Sequence, residues 1–372
     1  MSTFDTKNRK NSLKYHRPCV VVYQTIDFRG IIMAFSDRLI QARCRRGFFK
    51  ADLAKAARLS VRSVAAFEIG KCLPSAKTRW LLSAALGFSE AFFLHGKAAT
   101  IPEETISFRA LSSISATQKR AAISAHSFSV EIARWIESQF AFPKVQVPEL
   151  SGQTPEDAAE RLRELWSLGV QAIDNTIALL ESKGVRVFSL AEDCREIDTC
   201  SVWVDETPFL FLNTFKSAER IRLDVVHELG HLVLHQKIKV QGKMREREAD
   251  RFALAFLIPK QGILAEPPPT MHMETLIEFK KKWRVSLIAL AHRLHTLKLM
   301  TDWNHKKLCI RISKLGYKIQ EPNETIQDES VVLKQAFHVL RENGWTIERI
   351  SEATHVPANE IKSLTFGGFV LG

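Results

Sequence analysis

The chain has 372 residues, 45% of them hydrophobic, with 53 Lys and Arg against 41 Asp and Glu. That length favours two or three domains over one core, and a formal charge of +12 favours a polyanionic partner, nucleic acid or an acidic protein surface. Six cysteines with no C-x-x-C spacing exclude a disulfide framework and a zinc ribbon, and imply a reducing compartment.

Residues 1–32 open polar and basic, and the apolar piece that follows is broken by Gln24, Asp27 and Arg29. This makes neither a signal peptide nor a membrane span, so the segment reads as an N-terminal extension. Residues 33–96 then carry a run of short helices with no strand signal. Ser36 is the expected N-cap of the first, followed by "KADLAKAARLS" and by "SVRSVAAFEIGK", which is capped by Ser60 and stopped at Gly70. Arg38 to Arg62 holds eight basic residues and one acid, Asp52.

The stretch "RLIQARCRRGFFKADLAKAARLSVRSVAAFEIGKCLPS" resembles the Xre/Cro-type helix-turn-helix, an all-α bundle. The resemblance implies a second helix over Lys50–Ala57 and a recognition helix over Val61–Glu68, with Val61, Arg62, Ser63, Ala65 and Ala66 facing the major groove. It places Leu39, Leu53, Ala54, Leu59, Val64 and Phe67 in the core. Arg62 and Ser63 are the candidates for reading bases. Arg43, Arg46, Lys50 and Lys55, together with Arg45, suit phosphates. Arg58 stands where such domains usually have glycine and must take a strained φ or reshape the turn. A DNA operator bound by a homodimer is the expected partner, since such modules read paired half-sites.

Residues 97–154 read as a helical linker with two helices, Ser115–His126 and Ser129–Gln139, ending in the proline-rich "AFPKVQVPELSGQTP". Residues 155–300 show an α+β pattern. "PEDAAERLRELWSLG" and "AIDNTIALLESKG" are amphipathic helices, and "VRVFSL", "CSVWVD" and "PFLFLNT" are strands.

The helical stretch "IRLDVVHELGHLVLHQ" follows. Residues four apart lie on one helix face about 6 Å apart along the axis, so His227 and His231 can aim ring nitrogens at one ion. Glu228, one residue round, is placed to take a proton from a water at that ion, the arrangement of an H-E-x-x-H zinc hydrolase. His235 lies about 12 Å from His227 along a continuous helix and reads as a packing or supporting residue. The next helix offers Glu246, Glu248 and Asp250 as a third ligand. Its stripe of Ala249, Phe252, Ala253 and Phe256 leaves Glu246 and Glu248 equally open.

"FLNTFKSAERIRLDVVHELGHLVLH" followed by "EREADRFALAFLIP" resembles the ImmA/IrrE metallopeptidases. The resemblance implies a zincin-like α+β peptidase domain, with Glu228 catalytic and Zn2+ held by His227, His231 and Glu248. Asp250 stands where the family usually has asparagine. The implied protein is multidomain and mainly α, a cytoplasmic, nucleoid-associated bacterial regulator that cleaves a repressor or antitoxin. The alternative is a transcription factor or antitoxin whose peptidase-like domain senses a ligand or binds a partner without cleaving. "PFLFLNT" is expected to take a substrate strand by β-augmentation; Tyr15, Tyr23 and Tyr317 are the only tyrosines, and Tyr317 and Arg222 are the candidates for an oxyanion stabiliser.

Residues 301–372 read as a small C-terminal domain. It opens with a strand-like or mixed "KLCIRISKLGYKI" and the polar loop "EPNETIQDES", then two helical stretches that as a pair faintly echo a helix-turn-helix. No internal repeat is evident.

Overall fold

The computed structural model describes residues 28–101, 115–191, 197–236 and 242–367. The expectations for residues 1–27, including Tyr15 and Tyr23, lie outside them. The head comprises α1 (Phe28–Arg45), α2 (Lys50–Ala56), α3 (Val61–Glu68), α4 (Ala76–Leu86) and α5 (Glu90–Leu94). Ser60 caps α3 by accepting from the Ser63 amide. Ser36 is not a cap: it is buried inside a longer α1, where its hydroxyl donates to the Glu68 carbonyl. Arg58 takes the strained route, with φ of 54° and its side chain exposed.

One helix, α6 (Ala116–Gln139), replaces the two expected over residues 115–139. The serines that suggested a break donate back to the preceding turn, Ser127 to the Ile123 carbonyl and Ser129 to that of Ala125. This helix is no linker. Its Ala122, Phe128, Ile132 and Ile136 join Leu39, Leu53 and Phe92 of the head in one buried core.

Helices α7 (Pro155–Leu165) and α8 (Thr176–Ser182) lead into three strands, β1 (Arg186–Ser189), β2 (Cys200–Val204) and β3 (Thr207–Leu212). The sheet order is β1-β3-β2, with β1 parallel and β2 antiparallel to β3. Asp205 and Glu206 join β2 to β3 at φ of 46° and 64°, both left-handed, as a type I′ hairpin turn requires. The central position of β3 corrects the expectation that "PFLFLNT" receives a substrate strand, because both its edges are already paired. Side chains alternate along β3. Phe209 and Phe211 face the core shared with the head and α6, while Leu210 and Leu212 face a second core.

The second core is built on α9 (Ala218–Leu234) and α10 (Lys243–Leu257), followed by α11 (Lys260–Ala265), α12 (Met273–Trp283) and α13 (Leu287–Thr296). The segment expected to be strand-like is instead α14 (Asp302–Lys314), capped by Thr301. Leu308, Ile310 and Ile312 alternate like a strand, yet only Leu308 and Ile312, four apart, are buried, and Ile310 faces solvent.

Helices α15 (Val332–Glu342), α16 (Ile347–Thr354) and α17 (Ala358–Leu364) close the chain. They return to the first core through Phe337, Ile350, Ile361 and Leu364, so the boundaries expected at 97 and 301 cut through one packed unit. These helices also repeat α1–α3 at a constant offset without a gap, an internal repeat that sequence identity conceals. Gly47 and Gly344 have φ of 68° and 73°, and Arg58 and His355 have φ of 54° and 57°. Val64 and Ile361 are buried at equivalent places. The copy packs its last helix against α6 and β1. Glu360 of α17 is buried and pairs with Arg45 at the end of α1 and with Arg46 just beyond it, both contacts at 2.8 Å.

The polar loop between α14 and α15 is fastened by buried charge. Asp328 accepts from Arg222 on α9 at 2.6 Å and from the Thr176 amide at 2.7 Å, and neither ionic side chain is exposed. Arg222 also donates to the Ile173 and Asp174 carbonyls, so it is committed to this clasp and corrects the reading of it as an oxyanion stabiliser. Asp328→Ala strands a buried guanidinium. The expected loss is about 3–5 kcal/mol, read as a lower denaturant midpoint. Among the described residues no helix is long and apolar enough to cross a membrane.

Candidate metal centre

The histidine helix α9 and the acid-bearing α10 touch closely because α9 carries Gly230. A methyl group there would meet Phe252 at 3.0 Å and the Cα of Ala249 at 3.3 Å. This close approach sets the first turn of α10 over the imidazoles. His227 Nε2 and His231 Nε2 lie 3.1 Å apart. The Glu246 carboxylate faces both, with Oε2 3.3 Å from His227 Nε2 and Oε1 3.5 Å from His231 Nε2.

Glu248 points elsewhere, which corrects its assignment as the third ligand: its Oε2 is 3.0 Å from His235 Nε2. Glu246, Ala249, Asp250 and Ala253 share one face of α10 by their spacing of three and four, and Glu248 is two residues off it. Asp250, one turn beyond Glu246, places Oδ1 2.9 Å from His227 Nδ1. Asp250 occupies the position where asparagine was usual, and a carboxylate there is a stronger acceptor for the ring N–H.

These partners fix the tautomers. Asp250 accepts the Nδ1 proton of His227, which leaves the Nε2 lone pair facing Glu246. Glu248 accepts the Nε2 proton of His235, so His235 Nδ1 is an acceptor. His231 Nδ1, 3.0 Å away, then donates to it and turns its own Nε2 lone pair inward. Two lone pairs and a carboxylate thus converge where no proton separates them. The donor set fits a divalent cation, and zinc takes two imidazoles and a carboxylate. Burial lowers His231 to about 3, which keeps it neutral and able to ligate.

Glu228 lies beside His227, buried, with Oε2 accepting from the Ser201 hydroxyl of β2 at 2.7 Å. Burial pushes its carboxyl up to about 7, against the opposing pull of His227 and Ser201. A dication held by the neighbouring residues would draw it back towards the ionised form. Asp250, Ser201 and the His235–Glu248 pair support the site; the supporting place of His235 was expected from its distance along α9, whereas Ser201 carried no sequence signal. The four-residue step from Glu246 to Asp250, matching that from His227 to His231, was the available signal for Asp250.

The candidate DNA contacts are dispersed. Arg43 forms a buried ion pair with Glu68 and donates to the Phe48 carbonyl at 2.7 Å. Arg46 donates to the Leu86 carbonyl at 2.7 Å as well as pairing with Glu360. Both hold the head together, which corrects their assignment to phosphates. Lys50 Nζ sits 3.4 Å from Glu68 Oε2 with its side chain half exposed, and the Ser63 hydroxyl is shared with Ser60 at 2.8 Å. Lys55 and Arg62 are exposed on the α2–α3 surface.

Residues 180–295 match the family model of the IrrE N-terminal-like domain, Peptidase_M78. That span holds the whole sheet, α9 and α10, and the match implies a metallopeptidase-type hydrolase domain. A comparison with curated proteins finds no match.

Proposed function

We propose that the chain is a zinc-dependent endopeptidase joined to a DNA-binding head, and that its substrate is a repressor or antitoxin. The convergence of His227, His231 and Glu246, with Glu228 alongside, carries the hydrolytic part of this reading. Bound zinc supplies Lewis acidity that makes water nucleophilic near neutral pH and polarises the peptide carbonyl.

Each residue then has a defined task. His227, His231 and Glu246 hold the ion, and Asp250 and the His235–Glu248 pair keep the imidazole lone pairs aimed inward. Glu228 takes the proton from the attacking water and delivers it to the departing amine as the peptide C–N bond breaks. Ser201 restrains the Glu228 carboxylate through its hydroxyl. With β3 enclosed, β2 is the sheet edge nearest Glu228, and an extended peptide added along β2 would run past the metal. The experiment is incubation of the zinc-loaded protein with candidate repressors encoded beside it. Cleavage that Glu228→Gln stops supports the proposal, and intact substrates together with an operator shift favour the non-cleaving alternative.

For the head, Lys55 and Arg62 are the proposed contacts, with two heads reading paired half-sites of an operator. Arg62→Ala is expected to weaken operator binding by about 1–3 kcal/mol if it reads a base edge, whereas Lys55→Ala should weaken all sequences alike and flatten the salt dependence. Gel shifts across a salt series separate the two. A Lys55→Ala, Arg62→Ala double variant that binds operator unchanged removes α3 from the interface.

A further inference from the structure

A second group of donors lies on the hairpin of α13 and α14, apart from His227, His231 and Glu246. His305 and Cys309 are four apart on α14 and face His292 on α13. His292 Nδ1 is 3.0 Å from His305 Nε2, and Cys309 Sγ is 3.4 Å from the same nitrogen. All three donor atoms fall within 4.8 Å of one another. A single ring nitrogen carries either one proton or one lone pair, so His305 Nε2 cannot make two well-aligned hydrogen bonds at once.

A cation resolves that conflict. With Zn–N near 2.0–2.1 Å and Zn–S near 2.3 Å, tetrahedral neighbours stand roughly 3.3–3.6 Å apart. The distances of 3.0 and 3.4 Å need only a few tenths of an ångström of adjustment to fit. His295 does not complete the set. Its ring stacks on His305 with centroids 4.3 Å apart and planes 12° from parallel, and its Nε2 is 2.6 Å from Asp302 Oδ1. It packs over a ligand ring and leaves a fourth position open to water.

We propose that His292, His305 and Cys309 form a second zinc site with three protein donors, tying α14 to α13. His305 and Cys309 lie beyond the residues that match the peptidase family model. The site is also chemically distinct from the first, being the one with a thiolate.

That thiolate makes the test specific. The full-length zinc-free protein is titrated with Co2+ and, separately, with Zn2+. The expected result is two metal ions per chain and a sulfur-to-cobalt charge-transfer band in the near ultraviolet. Cys309→Ser should abolish the band and leave one ion, with an unchanged far-ultraviolet dichroism spectrum. His231→Ala should also leave one ion but keep the band, so the outcome does not depend on the peptidase reading. A wild-type chain that binds one ion and shows no such band overturns the proposal, as does a band or stoichiometry unaffected by Cys309→Ser.

Discussion

Glu228→Gln is expected to lower peptide hydrolysis by roughly 10²–10⁴-fold while zinc content stays at the wild-type level. The amide keeps the shape of the side chain and still accepts from Ser201, but it cannot take a proton from water. Since Glu228 is buried beside His227, its replacement by a neutral isostere should leave the packing of α9 intact. The measurement pairs single-turnover cleavage of the substrate with metal analysis of the same sample. Hydrolysis at the wild-type rate would show that another group moves the proton.

The second large effect separates two neighbouring carboxylates. Glu246→Ala removes a group that faces both ligand nitrogens, so zinc affinity should fall by more than the roughly 10–100-fold typical of losing an outer hydrogen-bond partner. Glu248→Ala should stay within that smaller range. It frees His235 to turn its tautomer and weakens the aim of His231, but it removes no ligand. Asp250→Ala should resemble Glu248→Ala, acting through His227 instead. Competition for zinc with a chromophoric chelator ranks the three. Equal losses for Glu246→Ala and Glu248→Ala would contradict the geometry.

The sequence disclosed the histidine helix because its information is local: a four-residue step, an adjacent acid and an apolar run on both sides. The three strands and the α2–α3 pair were legible for the same reason. What escaped depends on contacts between distant segments. The run that forms β3 reads as an edge until β1 is known to lie on its other side. The alternation of Leu308, Ile310 and Ile312 imitates a strand, and only the packing of α14 on α13 selects the helix. Arg43 and Arg46 look like phosphate contacts in a basic run, but their partners Glu68 and Glu360 come from later parts of the chain. Glu248 followed from a resemblance, whereas the structure places Glu246 on the face that Gly230 brings against α9. The repeat of α1–α3 in α15–α17 was hidden because its equivalence lies in backbone angles and burial more than in residue identity.

The most direct measurement is a crystal structure of the zinc-soaked protein with anomalous data at the zinc edge. The account predicts an anomalous peak about 2.0–2.2 Å from His227 Nε2, His231 Nε2 and a Glu246 oxygen, with Glu248 still against His235. A peak bound by Glu248, or no peak between those two imidazoles while zinc occupies another position, would contradict it.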